Sequence, residues 1–400
     1  MGGVPFWFWV ATAFVVGTCI GSFLNVVIYR LPIATPELNL NKPKSSFCPN
    51  CKRRLTALDL VPLFSFLLLD RKCRGCKQQI SWRYFGVELL TGVLFLAMTL
   101  FFRDNVANAV TFCAFTAVMV PVFFIDYERF EIPDTLNILA TLIPLVRDIY
   151  GIATHETGFE LLWGWMPRSI FGALIGMAIF GGVRIVGWLW KGVEAMGLGD
   201  VLLARGMGAM LVLVVPAAYS PVRLHLVWVL GACLSGIIIG VPLIKSRERK
   251  IAELLAKSGE LANSSKSEEA LSFEREGTFG GQLYEVLWCF WLGDLWNYLY
   301  LTFVNPAQKE EIAIQQREQD EWIVPTSAIP FGPFMIVGFF LTLFVGEKIV
   351  ASYINYALPP VKEATAIIRP ATGTIAQNTA SKSSNQEKFF VSASAKGRKS

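Results

Sequence analysis

Eight apolar runs recur along this chain, at about residues 6–29, 84–102, 107–125, 133–147, 168–190, 201–220, 223–244 and 331–346. A helix needs roughly 20 such residues to cross the hydrocarbon core of a bilayer. Inside lipid every backbone N–H and C=O must be paired within the segment, which selects helices. The expected fold is an all-α polytopic membrane protein with about eight transmembrane helices. Composition agrees: 54% of the 400 residues are hydrophobic and the mean hydropathy is +0.48, too apolar for a water-soluble domain. Run 133–147 is short and interrupted by Pro144. Residues 1–29 carry no charged side chain. A secretory signal would open on a basic stretch, so the first run is read as retained, with its N-terminus outside.

Residues 30–83 hold 11 Lys and Arg against three acids, Glu37, Asp59 and Asp70. Basic loops stay on the cytoplasmic side, so this is expected to be a small cytosolic loop domain. It contains Cys48-Pro49-Asn50-Cys51 and Cys73-Arg74-Gly75-Cys76, with 21 residues between the pairs. Two C-x-x-C pairs complete a tetrahedral thiolate site, the closed geometry of structural zinc. A redox or disulfide reading of these cysteines fits a cytosolic loop less well. Four ligands leave no open position, so such a metal holds shape and does no chemistry. Alternation then puts the loops around 126–134, 189–200 and 245–330 in the cytoplasm. It puts 148–167, with Trp163 and Trp165 as interfacial anchors, outside.

The domain reading follows: 1–100 with the cysteine loop at 30–83, then 105–245 plus 327–355, an insertion at 246–326, and a tail at 357–400. Within the insertion, 283–304 is rich in Trp, Tyr and Leu yet carries Glu285 and Asp294. An interfacial amphipathic helix is favoured there over a ninth span. The Ser-, Lys-, Ala- and Thr-rich tail is expected to be disordered.

The two histidines, His155 and His225, have no motif partner, and no H-E-x-x-H or G-x-S-x-G signature occurs. Acids are better placed. Asp126 ends one apolar run and Asp200, in Gly197-Leu198-Gly199-Asp200, opens another. Carboxylates beside a membrane span are costly and are read as functional by default. Two that face one another cannot both ionise, so one keeps a proton while the other acts as base. That pair activates water against a carbonyl. Gly197 and Gly199 let the backbone bend or approach closely. Asp134, after Pro133, suits a helix N-cap and is kept as a supporting residue. Ser22, Asn25, Gly172 and Gly176 read first as helix-packing residues.

Gly21-Ser22-Phe23-Leu24-Asn25, the two cysteine pairs, Asp126 and Asp134 with seven residues between them, Gly197-Leu198-Gly199-Asp200 and Pro330-Phe331-Gly332-Pro333-Phe334 occur in that order. The ordered set resembles the bacterial type IV prepilin peptidase family, over about residues 10–245 and 327–350. The resemblance implies a G-x-G-D aspartyl protease of the bacterial inner membrane, multi-pass, with its active site facing the cytoplasm. It would cleave the basic leader of prepilins or pseudopilins after a glycine, then methylate the new terminal amine with S-adenosylmethionine. It puts the catalytic pair on Asp126 and Asp200, and the zinc ligands on Cys48, Cys51, Cys73 and Cys76. Glu88 matches an acid tied to methyl transfer, which belongs to the N-terminal region. The partners implied are the lipid bilayer and the pilin substrate, with no nucleic acid.

Three features depart from the family pattern. Leu202 stands where a lysine is usual, with Arg205 one turn on as a candidate replacement charge. Arg83-Tyr84-Phe85 replaces the usual Arg-Tyr-Pro. The insertion and the tail have no assigned counterpart. Two other readings stay open: a G-x-G-D membrane protease without methyl transfer, and a non-catalytic zinc-binding scaffold or transporter.

Overall fold

The computed structural model describes residues 5–33, 39–40, 43, 45–48, 50–159, 161–162, 165–191, 196–214, 222–243, 245–246, 249, 278–290, 293–305 and 330–357. The tail expectation and Trp163 lie outside these. Helices dominate, and no strand forms among the described residues beyond isolated β-bridges.

In order, the elements are α1 (Phe6–Arg30), α2 (Phe64–Leu68), α3 (Trp82–Phe101), α4 (Val106–Arg129), α5 (Asp134–Ala153), α6 (Arg168–Lys191), α7 (Leu198–Val212), α8 (Val222–Ser235), α9 (Phe279–Phe290), α10 (Gly293–Leu299) and α11 (Gly332–Ala357). Seven helices among the described residues are long and apolar enough to cross a membrane. They are α1, α3, α4, α5, α6, α8 with its π-type extension, and α11. This is a multi-pass helical membrane protein. The eighth expected run is α7, described over 15 residues.

Local chemistry sets the helix ends. Ser81 accepts the N–H of Arg83 at the start of α3, and Asn105 accepts that of Asn108 at the start of α4. Side-chain oxygens there satisfy N–H groups the helix leaves unpaired. α4 ends on Phe130, which takes a left-handed conformation (φ 60°) and donates to the Asp126 carbonyl. Pro133 precedes α5, so Asp134 is its first residue and not its cap. An acid there still favours the positive helix end.

Two spans run longer than the sequence suggested. α5 continues past Pro144 to Ala153. Arg147 and Asp148 read as a span end, yet both are buried and paired. Arg147 donates to Asn108 at 2.8 Å and to Glu156 at 2.8 and 2.9 Å; Asp148 accepts the N–H of Ser169 at 2.7 Å. α11 likewise passes Glu347 and Lys348 to reach Ala357.

Residues to Tyr353 form one compact unit. α1, α3 and α4 pack together, as do α5, α6 and α7. α7 is the central rod: every side chain from Val201 to Val212 is buried. Gly172 and Gly176 let α6 lie directly on it. A Cβ at Gly172 would collide with the Gly208 carbonyl, and one at Gly176 with that of Ala204. α11 is tied to α8 where Trp228 Nε1 donates to the Met335 carbonyl at 2.9 Å and Ser235 Oγ to that of Phe334 at 3.2 Å.

Where it is described, the segment read as an interfacial helix over 283–304 is helical, as α9, α10 and a π-type turn at Tyr300–Val304. α9 packs on α6 and α7, and α10 on α5.

Candidate active site and thiolate centre

Asp126 lies in the last turn of α4 and is 4% exposed. The backbone of Gly332, the first residue of α11, lies against its carboxylate, so tightly that a Cβ at 332 would overlap Oδ2. That oxygen is buried without a hydrogen-bond partner. Asp200 sits in the first turn of α7, and its carboxylate reaches back to the backbone N–H of Gly197. Acids three residues after the helix cap commonly make this contact. Ile132 links the two sides. It lies 3.3 Å from where a Gly332 Cβ would stand and 3.4 Å from that of Gly199. The carboxylates of Asp126 and Asp200 are within electrostatic range of each other. The structure therefore brings together two acids 74 positions apart, plus the Pro330–Phe334 stretch.

Sequence reasoning missed the polar supports of this site. Asn137, on α5, donates to the Gly199 carbonyl at 3.4 Å, and its own Oδ1 is buried. Arg184, on α6, donates to the Met196 carbonyl at 2.9 Å, one residue before Gly197. A lone arginine inside an apolar run was the available signal. Arg205, the candidate replacement charge, is engaged by the insertion and by α5. Its guanidinium grips Asp294 through two bonds of 2.8 and 2.7 Å and reaches Thr141 at 3.0 Å. His225 is fully buried at 3.3 Å from the Gly172 carbonyl, as a packing residue would be, and His155 is on the exposed turn after α5.

The four cysteines converge as spaced. All four sulfurs lie within 4.8 Å of one another, and the pairs Cys48–Cys76 and Cys51–Cys73 are each 3.9 Å apart. A tetrahedral zinc with Zn–S bonds of about 2.3 Å needs sulfurs about 3.8 Å apart. Each C-x-x-C forms the same knuckle. Lys52 donates to the Cys48 carbonyl and Lys77 to that of Cys73, each with positive φ (56° and 57°). Arg53 and Gln78 then accept the N–H of the first cysteine of their pair. Backbone N–H groups of Cys76 and Gly75 hold the Cys73 thiol below its ordinary range. The N–H of Gln78, then the Asn50 amide, bring Cys76 down to about 6. Cys51 goes the other way, to about 11: the Arg53 amide lowers it, but desolvation and the three neighbouring thiols outweigh that. Four thiolates this close call for a cation. Asp59 braces the knuckles, at 2.9 Å from Arg74 and 3.8 Å from Arg53.

Between this loop and the first turns of α3 lies a cavity of about 370 Å³, lined among others by Ser22, Asn25, Tyr29, Phe66, Tyr84 and Glu88. Gly21 brings α1 onto the backbone of Glu88, whose Cα is 2.8 Å from where a Cβ would stand. Asn25 donates to the Tyr84 carbonyl at 3.1 Å, leaving its Oδ1 buried and unpartnered. Glu88 accepts the N–H of Leu63 at 2.8 Å.

The fold and site define a helical membrane protein with an acid pair at helix ends, Asp126 buried and Asp200 partly so, and a tetrathiolate loop. A family model, the Bacterial Peptidase A24 N-terminal domain, matches residues 15–102. The chain is 30% identical over 342 residues to a prepilin leader peptidase/N-methyltransferase of Myxococcus xanthus, covering 83% of this chain and 89% of that one. It is 34% identical over 233 residues to the protein of the same name from Aeromonas salmonicida, covering 52% and 75%. A third such protein, from Dichelobacter nodosus, is 29% identical over 255 residues, covering 56% and 82%. No solved structure matches. The chain belongs to the prepilin leader peptidase/N-methyltransferase family.

Proposed function

We propose that this protein cleaves the leader peptide of type IV prepilins or pseudopilins, with Asp126 and Asp200 as the catalytic pair, and N-methylates the new N-terminal residue. The observation that carries the peptidase half is that Asp126, packed under Gly332, and Asp200 lie within electrostatic range of each other across Ile132. One carboxylate, ionised, takes a proton from water as it attacks the scissile carbonyl. The other, protonated, polarises the carbonyl oxygen and shares its proton with the intermediate. The C–N bond then breaks and the departing amine takes up a proton. Gly197, Gly199 and Asn137 position Asp200, and Gly332 positions Asp126. Asp134, one helical turn before Asn137, supports the same end of α5.

For methyl transfer, the cavity beside Glu88 fits S-adenosylmethionine in size and kind. It offers aromatic walls, an acid to balance a cation, and the unpartnered Asn25 Oδ1. When bound, that cofactor supplies an activated methyl group on a sulfonium. Glu88 would balance the cationic part, and Asn25 Oδ1 would accept from one of its donors. Cys48, Cys51, Cys73 and Cys76 would hold a zinc ion, which would keep one wall of the cavity in shape. The basic loop supports an inner-membrane location with both sites toward the cytoplasm. A basic leader is then accessible while the pilin helix stays in lipid. The acids sit at helix ends rather than at mid-membrane depth, which speaks against a transporter.

Incubating the purified protein with a prepilin peptide and S-adenosylmethionine, then weighing the products, reads both steps separately. Leader loss plus one methyl group is expected. An intact peptide would defeat the proposal. Cleavage without a methyl group would leave the peptidase reading alone.

A further inference from the structure

The insertion that the sequence left without a role brings two carboxylates against the peptidase half, Glu285 half-exposed and Asp294 largely buried. Glu285 on α9 meets Arg184 Nη2 at 2.9 Å, and Asp294 on α10 takes Arg205 through two bonds. Both arginines are 2% exposed. Each also holds the acid-bearing helix. Arg184 grips the carbonyl of Met196, immediately before the Gly197–Asp200 turn, and Arg205 rises from α7 five residues after Asp200. Through Thr141, Arg205 further ties α7 to α5, the helix whose Asn137 holds the Gly199 carbonyl. Val286, between the two contacts, is buried and lies against Gly181 of α6.

We propose that α9 and α10 are a built-in clamp, with Glu285 and Asp294 as positioning residues that fix the Asp200 carboxylate opposite Asp126 by holding Arg184 and Arg205. A buried guanidinium needs an ionic partner to stay where it is, and Arg184 and Arg205 in turn set the start and the register of α7. Misplacement of a reacting group by about 1 Å costs on the order of 100-fold in rate. The clamp therefore acts on turnover more than on substrate binding. It rests on the peptidase reading for its consequence, but its geometry is measurable without any substrate.

The test uses the full-length protein in nanodiscs and the variants Glu285→Gln and Asp294→Asn. Three quantities are measured: cleavage kcat and KM, methyl transfer to an already cleaved peptide, and amide exchange of the segment 196–203. Expected are a loss in kcat of about 10- to 100-fold, KM within about twofold, unchanged methyl transfer, and faster exchange confined to 196–203. The reversed pair Arg184→Glu with Glu285→Arg recovers part of the loss that either change causes alone, and Asp294→Glu retains most activity. Unaltered kcat and exchange in both carboxamide variants overturns the clamp. So does a parallel fall in cleavage, methyl transfer and bound metal, which is general destabilisation. If the unmodified protein fails to cleave prepilin, the peptidase reading falls, and the exchange data alone then decide the clamp.

Discussion

The thiolate loop and the acid pair are built in opposite ways. The loop is assembled from two short, near-identical knuckles, each closed by its own backbone bonds within six residues. The acid pair is assembled from the end of α4, the start of α7 and the start of α11, three stretches spread over 207 positions from Asp126 to Gly332. The first depends on local conformation and a metal ion. The second depends on helix packing and on buried polar side chains that no short motif contains. If that contrast is right, each region fails separately, and substitutions in one leave the chemistry of the other standing.

The largest separation is expected from the acids. Asp126→Asn or Asp200→Asn removes the group that takes or keeps the proton, and cleavage should fall by at least about 1,000-fold. The protein should stay in the membrane with its four thiolates still metal-bound, and methyl transfer to a cleaved peptide should persist. Peptide mass spectrometry with metal analysis on the same sample checks this. Cleavage near the unmodified rate by either variant breaks the pair.

Next comes Gly332→Ala. A single methyl group there has to displace the Asp126 carboxylate or lift the start of α11. A shift of about 1 Å at a reacting group predicts a loss of cleavage on the order of 100-fold. Methyl transfer should not change. A tolerated alanine means that Asp126 turns away from Gly332 in the working enzyme.

How much of this was legible beforehand follows the same contrast. Cys48, Cys51, Cys73 and Cys76 announced themselves by spacing, because a knuckle is a local object. The membrane class and most spans came from apolar runs, because bilayer thickness acts on contiguous sequence. The run at 133–147 looked short because of Pro144 and the charges after it, yet α5 continues: Arg147 pairs with Glu156 and bonds Asn108, and Asp148 accepts the N–H of Ser169, all partners distant in sequence. Asp134 looked like a cap, but Pro133 takes that position. Asn137 carried no signal, and Arg184 showed only as a lone charge in an apolar run, for a related reason: each acts on a backbone carbonyl brought to it by packing. Arg205 was read by its distance from Asp200 along one helix, whereas its partner lies 89 positions away in the insertion.

Cys48→Ser sharpens the comparison from the other side. Losing one of four thiolates typically lowers metal affinity steeply, and outer partners alone are worth 10- to 100-fold. The loop forms a wall of the cavity beside Glu88, so methyl transfer should fall by about tenfold or more, while cleavage stays within about threefold. Chelation of the unmodified protein should reproduce the pattern. Equal loss of both activities would mean that the loop supports the acid pair as well.

The smallest effect on either activity is expected at a third polar network, on the α5 turn. Glu156 bonds Arg147 and Asn105. Burial alone raises its carboxyl, but the Arg147 and Asn105 bonds outweigh that and hold it below its ordinary value of 4.5. A carboxylate depressed in the fold stabilises it above the unfolded value, and that contribution is lost as pH falls through the depressed one. Thermal stability of the unmodified protein should therefore hold above about pH 4.5 and decline below it. Glu156→Gln leaves the 3%-exposed Arg147 side chain without its ionic partner, a change worth about 1–3 kcal/mol. The melting temperature should drop and the acid-side decline should flatten, while cleavage and methyl transfer below the new melting point stay as they were. Were either activity to fall with it, the two sites would share a stability unit, and the separation argued from their construction would not hold.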